Sequence, residues 1–281
     1  MNTYIAICTE EYLPYYRELY KSVKEHCPNS KQVLYYIGDY HERTLNEFHD
    51  KDCDVLCING WYETCNKDYN KLERICSLRA RVVLTSFDWY ECDTVVFCGA
   101  KIKFFNQPRE LTTPLCDGYK AVVTPHILEP LPEDGKFPSN ASVSFTGHIS
   151  TDLVSFRKCP EIRKFLEWQD EIMKTRVKTT KETYLDQSWL NFLPFFVKDV
   201  KILRDPSYNV AYWNYKQRDM IYNTIDKTWY IGEGFDIKPI TCFQFSGLDP
   251  NHPELISTHQ NRYIADGDFL EFLKDYAEKV K

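Results

Sequence analysis

Apolar and polar positions follow a regular rhythm along the first hundred residues. Short apolar runs rich in β-formers at residues 3–9 (TYIAICT), 32–37, 54–58 and 94–97 read as buried strands. Stretches with helical spacing separate them. Residues 11–26 place Leu13, Tyr16, Leu19, Tyr20 and Val23 on one face. A long amphipathic segment capped by Asn66 runs to about Phe87, and residues 41–49 fit a shorter helix. This alternation predicts a parallel sheet with right-handed crossovers. Such sheets bind ligands beyond the carboxyl ends of their strands. Here those ends are Thr9 with Glu10, Gly38 with Asp39, Ile58 with Asn59, and the turn from Cys98 to Lys101.

The second half is more mixed. Residues 120–125 and 142–150, the latter containing Gly147, read as strands. Residues 160–173 and 187–196 read as helices, 198–203 and 241–245 as short strands, and 267–281 as a terminal amphipathic helix. No repeat and no Gly/Ser/Pro-rich linker interrupts the pattern, which predicts one continuous α/β domain over 1–281.

Composition narrows the classes. At 281 residues with 43% hydrophobic content, the chain can build a sizeable core. A formal net charge of −6 argues against a general nucleic-acid binder, while leaving room for a local basic pocket that takes a phosphate. The eleven Cys are scattered and include no Cys-x-x-Cys pair, so they read as reduced core thiols and not as a zinc site. No signal-peptide pattern and no membrane-length apolar run is present, and a cytoplasmic protein is expected. No Gly-rich dinucleotide loop or P-loop follows any of the strands, which counts against a Rossmann methyltransferase or other nucleotide-dependent enzyme of that kind.

Five segments carry candidate chemistry. The first is the opening strand and turn with Thr9 and Tyr12; beside it, at the next strand end, lies Asp39. The second joins Arg79 and Arg81 to the strand that ends in Gly99, Ala100 and Lys101. The third, SFTGHI at 144–149, holds Gly147 and His148. The fourth, LDQSWLN from Leu185, places Asp186 and Gln187 at the start of a helix, where a carboxylate can hold hydroxyls or take a proton and a carboxamide can support developing positive charge. Asp186 could equally be a plain helix cap. The fifth, FQFSG at 243–247, holds Gln244, Ser246 and Gly247, where a small residue and Gly expose backbone N–H groups to phosphate oxygens; a segment at 257–262 containing Arg262 follows it. Trp213, in the stretch 205–214, suits either a sugar face or the core.

In this order the segments resemble the GT-A class of nucleotide-sugar glycosyltransferases, above all the glycogenin and lipopolysaccharide-galactosyltransferase group. The resemblance implies a Rossmann-like GT-A domain with a mixed central sheet flanked by helices, residues 1–105 forming the nucleotide-binding half and 106–281 the acceptor and catalytic half. It implies transfer of a hexose or pentose from a nucleoside-diphosphate sugar, with uridine as the base, to a glycan hydroxyl. It also implies Asp186, Gln187 and Lys101 as catalytic, and Thr9, Tyr12, Asp39, Arg79, Arg81, Gly99, Ala100, Gly147, His148, Gln244, Ser246 and Gly247 as donor-binding.

Three positions depart from the family pattern. The family's Asp-x-Asp metal ligands appear as Gly99 and Lys101, and its distal metal-binding His appears as Gln244. The departures predict that no divalent metal is used and that Lys101, a point charge on a flexible stem, meets the charge of the leaving diphosphate. Arg79, Arg81 and Arg262 are further cations for that role. The competing expectation is a catalytically inert relative that binds a nucleotide sugar or a glycan.

Overall fold

The structure, a computed structural model, describes residues 1–39, 45–178, 180, 182–232 and 237–281. Its main sheet contains β1 (Asn2–Thr9), β2 (Lys31–Ile37), β3 (Cys53–Cys57) and β4 (Thr94–Cys98). After β5 (Ile102–Phe104), which leaves that sheet, come β6 (Ala121–Pro125), β7 (Ile149–Arg157) and β8 (Val200–Ile202). The strand order is β3-β2-β1-β4-β7-β6-β8. The first four strands are parallel, as the alternation predicts. β7 runs antiparallel to both β4 and β6, so the sheet is mixed.

A period of two along the strands splits the core into two layers. Ile5, Ile7, Val33, Tyr35, Val95 and Phe97 face one side, under the helices Arg79–Trp89 and Pro160–Met173. Tyr4, Ala6, Cys8, Leu34, Tyr36 and Val96 face the other, under the helix Leu13–His26. Beside this body, β5 pairs with β13 (Cys242–Gln244), which also pairs with β9 (Val210–Ala211). The hairpin strands β10 (Ile221–Asn223) and β11 (Thr228–Ile231) join β12 (Lys238–Pro239) in a third small sheet. The last helix, Gly267–Val280, seals β13, with Tyr276 stacked on Phe245 at a centroid distance of 3.5 Å. Among the described residues no helix is long and apolar enough to cross a membrane.

Three sequence expectations change. The single helix over 66–87 is two helices, Lys71–Ser77 and Arg79–Trp89, meeting at Leu78. Its cap is Asn70 and not Asn66: the Asn70 side chain accepts from Glu73 N at 3.0 Å, and the Glu73 carboxylate accepts from Asn70 N at 2.8 Å. Asn66 instead closes a turn with the N–H of Asp68. The strand over 142–150 is a helix, Asn140–Thr146, opened by a Ser139–Ser142 capping box and ended by Gly147 at φ +123°; the true strand starts at Ile149. The helix over 187–196 is two four-residue turns, Gln187–Leu190 and Leu193–Phe196, the second with Pro194 in its first turn, where the missing N–H is tolerated. The helix expected over 41–49 lies partly outside the described residues; a 3-10 turn, Asn46–Phe48, is present at its end.

Candidate active site

The antiparallel entry of β7 builds the site. It brings Asp152 to the carboxyl end of β4, where Gly99 N–H donates to the Asp152 carbonyl at 2.7 Å. The two are packed so closely that a Cβ on Gly99 would stand 2.7 Å from Asp152 Cγ. Sequence reading missed Asp152, although a lone carboxylate inside the strand-like run 149–157 was a signal for it.

Arg79, the first residue of its helix, links the two site carboxylates. Its Nη2 lies 2.7 Å from Asp152 Oδ1 and its Nη1 2.9 Å from Asp186 Oδ2, and it also donates to Thr151 Oγ1. Gln244 Nε2 donates to the other Asp152 oxygen. Burial disfavours the charge on Arg79, but Asp186 and Asp152 outweigh it and hold the guanidinium firmly protonated. Asp186 is only 2% exposed. Burial pushes its carboxyl above the usual range, with Arg79 pulling the other way. Asp186 occupies the cap position of Gln187–Leu190 without bonding any N–H of that helix, so its side chain serves Arg79 and not the helix end.

Gln187 lies against Gly147. A Cβ at Gly147 would stand 2.9 Å from Gln187 Cγ, and the Gln187 carboxamide has no hydrogen bond to a described residue. The bend at Gly147 is pinned from two sides. His126 Nδ1 meets the Gly147 carbonyl at 2.9 Å, while Asn191 Oδ1 accepts from His148 N at 3.1 Å and Ile149 N at 3.3 Å. Burial lowers His126 to about 4, so the imidazole is neutral and Nδ1 is its donor. The His148 side chain is exposed beside this bend.

Lys101 sits in the turn between β4 and β5. Its carbonyl accepts from Phe245 N at 2.9 Å, which ties the turn to β13. Its Nζ lies over the faces of Tyr12 and Tyr15, 4.8 and 5.0 Å from the ring centroids. Among the described residues no carboxylate comes within ion-pairing distance of it. Burial lowers its pKa, and the Asp152 charge opposes that shift. Gly247 follows at φ +70°, with His259 packed against its Cα face. Ser246 is half-buried beside it.

The other expected residues are placed as follows. Thr9 is buried at the end of β1, Tyr12 is half-buried under Lys101, and Ala100 is half-buried against the core. Asp39 is exposed at the end of β2, next to Gly38, whose N–H and C=O are both held by the Asn59 side chain. Arg81 does not join the cluster: it bonds Asp170 on the neighbouring helix. Arg262 is also committed elsewhere, to Asp134 at 2.6 Å and to the carbonyls of Pro132, Lys136 and Pro138.

The donor set does not fit a divalent metal. Lys101 places an ammonium at the strand end, Gln244 offers a carboxamide, and Asp152 and Asp186 are both bonded to Arg79. Among the described residues no group of three or more His, Cys, Asp or Glu could hold such an ion. A cavity of about 400 Å³ lined by Asn2, Tyr4, Asn29, Gln107, Arg109 and Thr112 lies at the opposite, amino-terminal end of β1 and contains none of these residues.

No protein-family model matches the chain, and no curated protein matches it in sequence. Solved structures do. The galactosyltransferase LgtC, in complex with donor and acceptor sugar analogs, matches with a TM-score of 0.57 at 12% identity, over 99% of this chain and 95% of that one. An active-site mutant of LgtC, glutamine to glutamate, matches with a TM-score of 0.55 at 14% identity over the same shares. The glycosyltransferase GlyE of Streptococcus pneumoniae TIGR4 matches with a TM-score of 0.53 at 12% identity, over 99% of this chain and 61% of that one. The mixed seven-stranded sheet flanked by helices is thus the GT-A glycosyltransferase fold.

Proposed function

We propose that the protein transfers a sugar from a nucleoside-diphosphate sugar, with uridine as the preferred base, to a glycan hydroxyl, and that it does so without a divalent metal. One observation carries the reading: Lys101, an ammonium with no ion-pair partner among the described residues, stands beside a carboxylate–guanidinium–carboxylate chain at the carboxyl end of a GT-A sheet. LgtC, whose fold the chain shares, is solved with donor and acceptor sugar analogs, and one of its active-site residues is a glutamine. Gln187 is the candidate for such a role here.

Each group then has a task. Asp152 and Asp186 accept from sugar hydroxyls through the lone pairs that Arg79 and Gln244 leave free. Arg79 fixes their orientation. As the bond from the anomeric carbon to the diphosphate oxygen breaks, its electron pair goes to the diphosphate, and Lys101 stabilises that charge. The Gln187 carboxamide oxygen supports the positive charge left on the anomeric carbon. The acceptor oxygen bonds to that carbon, and its proton goes to the departing diphosphate, because Asp186 is already engaged by Arg79. Thermal-shift screening against UDP-, GDP-, CMP- and dTDP-sugars tests the reading. A UDP-sugar is expected to raise the melting temperature without added metal, since a ligand of the native state stabilises it by mass action. No shift with any nucleotide sugar would contradict it.

A further inference from the structure

The side of the site near Lys101 holds a second group, from the segment 257–262, that the proposed chemistry does not use. His259 follows a tight turn in which Thr258 N–H donates to the Gly247 carbonyl at 2.8 Å and the His259 N–H is held by Ser257 Oγ at 3.1 Å. Its ring packs on Gly247: a Cβ there would stand 2.6 Å from His259 Cδ2. Gly247 belongs to the segment after β13, which Phe245 N–H ties to the Lys101 carbonyl at 2.9 Å. His259 and Lys101 are therefore anchored on adjoining turns. Tyr212 flanks the imidazole with ring centroids 6.3 Å apart. The residue as a whole is open to solvent while its ring is partly covered by Gly247 and Tyr212, and neither ring nitrogen has a hydrogen-bond partner among the described residues.

We infer that His259 and Lys101 together form the diphosphate-binding corner of the donor pocket, and that His259 takes up a proton when the diphosphate binds and donates an N–H to a phosphate oxygen. The inference rests on the donor-site reading above. In the free protein, burial and the Lys101 ammonium hold the imidazole below its usual pKa, so it is neutral at pH 7. A diphosphate placed between the two reverses that bias, because an anion favours the charged ring. The other groups bearing on the corner are Tyr212 beside the ring, Tyr12 and Tyr15 under Lys101, Asp152 behind Lys101, and Asp249 near Tyr15. The tyrosines are neutral at pH 7, with burial pushing Tyr12 and Tyr15 upward and Tyr212 likewise. A nucleotide sugar carries no phosphate that titrates near neutrality, so the proton must go to the protein.

The sign follows from linkage. Below the free-state pKa of His259 the ring is already charged and affinity is flat. Above it, affinity falls by about tenfold per pH unit until the pKa of the complex is passed. The test is calorimetric titration near pH 7, in two buffers of different ionisation enthalpy, with whichever of UDP-glucose, UDP-galactose, UDP-N-acetylglucosamine and GDP-mannose binds the wild type most tightly. Net proton uptake is expected in the wild type and not in His259→Gln, whose affinity should be lower and flat with pH. His259→Lys should restore affinity without uptake, since it keeps a cation there. Binding without uptake in the wild type, or uptake persisting in His259→Gln, overturns the inference and leaves the donor-site reading intact. Absence of binding by the wild type to every sugar overturns both.

Discussion

At Lys101 an ammonium lies between two tyrosine faces with no described carboxylate to pair with, while burial works against its charge. A cation held that way stays ready for an anion, because removing its own partner would otherwise be part of the cost of binding. Lys101→Met is expected to lower kcat by about 10²–10³-fold, the range for loss of one preorganised donor to a developing charge, with far less change in thermal stability. An unchanged kcat would show that the leaving group is stabilised by something else. Gly99 fits the same local logic. The Asp152 side chain fills the space where a Gly99 side chain would begin, so a carboxylate cannot be restored at 99 without displacing Asp152.

At the scale of elements, the decisive pieces are the reversed strand β7 and the bend before it. Gly147, at φ +123° and ψ +148°, has a backbone that side chains rarely adopt, and its face is filled by Gln187. Gly147→Ala is expected to cost about 1–3 kcal/mol in urea unfolding and to reduce turnover beyond what the lost stability explains, because Gln187 must move. An active Gly147→Ala with wild-type kcat would remove Gln187 from the mechanism. The same region shows what was legible in the sequence. β1 to β4 were readable because buried parallel strands are short apolar runs; Asp186 and Gln187 were singled out only because a motif marks them. Asp152 was not readable, since its place depends on β7 entering antiparallel beside β4, a long-range pairing that no local period reports. The helix Asn140–Thr146 was read as a strand because a capping box built from two serines, Ser139 and Ser142, is a weaker signal than Ser with Glu or Gln. Arg81 looked equivalent to Arg79 two positions away, yet a helix turns by about 200° over two residues, and Arg81 therefore reaches Asp170 instead of the site.

Over the whole molecule, the charges gathered at the carboxyl end of the GT-A sheet balance within the protein: two carboxylates, Asp152 and Asp186, against two cations, Arg79 and Lys101. Asp152 and Asp186 are bonded to Arg79, and Lys101, the second cation, lies over two tyrosine faces, where on the proposed reading it meets the diphosphate. On the proposed reading Lys101, and not a divalent ion, meets the charge of the diphosphate, although the chain as a whole carries −6. The most direct measurement is turnover of a UDP-sugar by protein freed of metal with EDTA, followed by addition of Mn²⁺ or Mg²⁺. The expected result is activity that survives EDTA and does not rise with either ion. Activity that vanishes with EDTA and returns with Mn²⁺ would contradict the account.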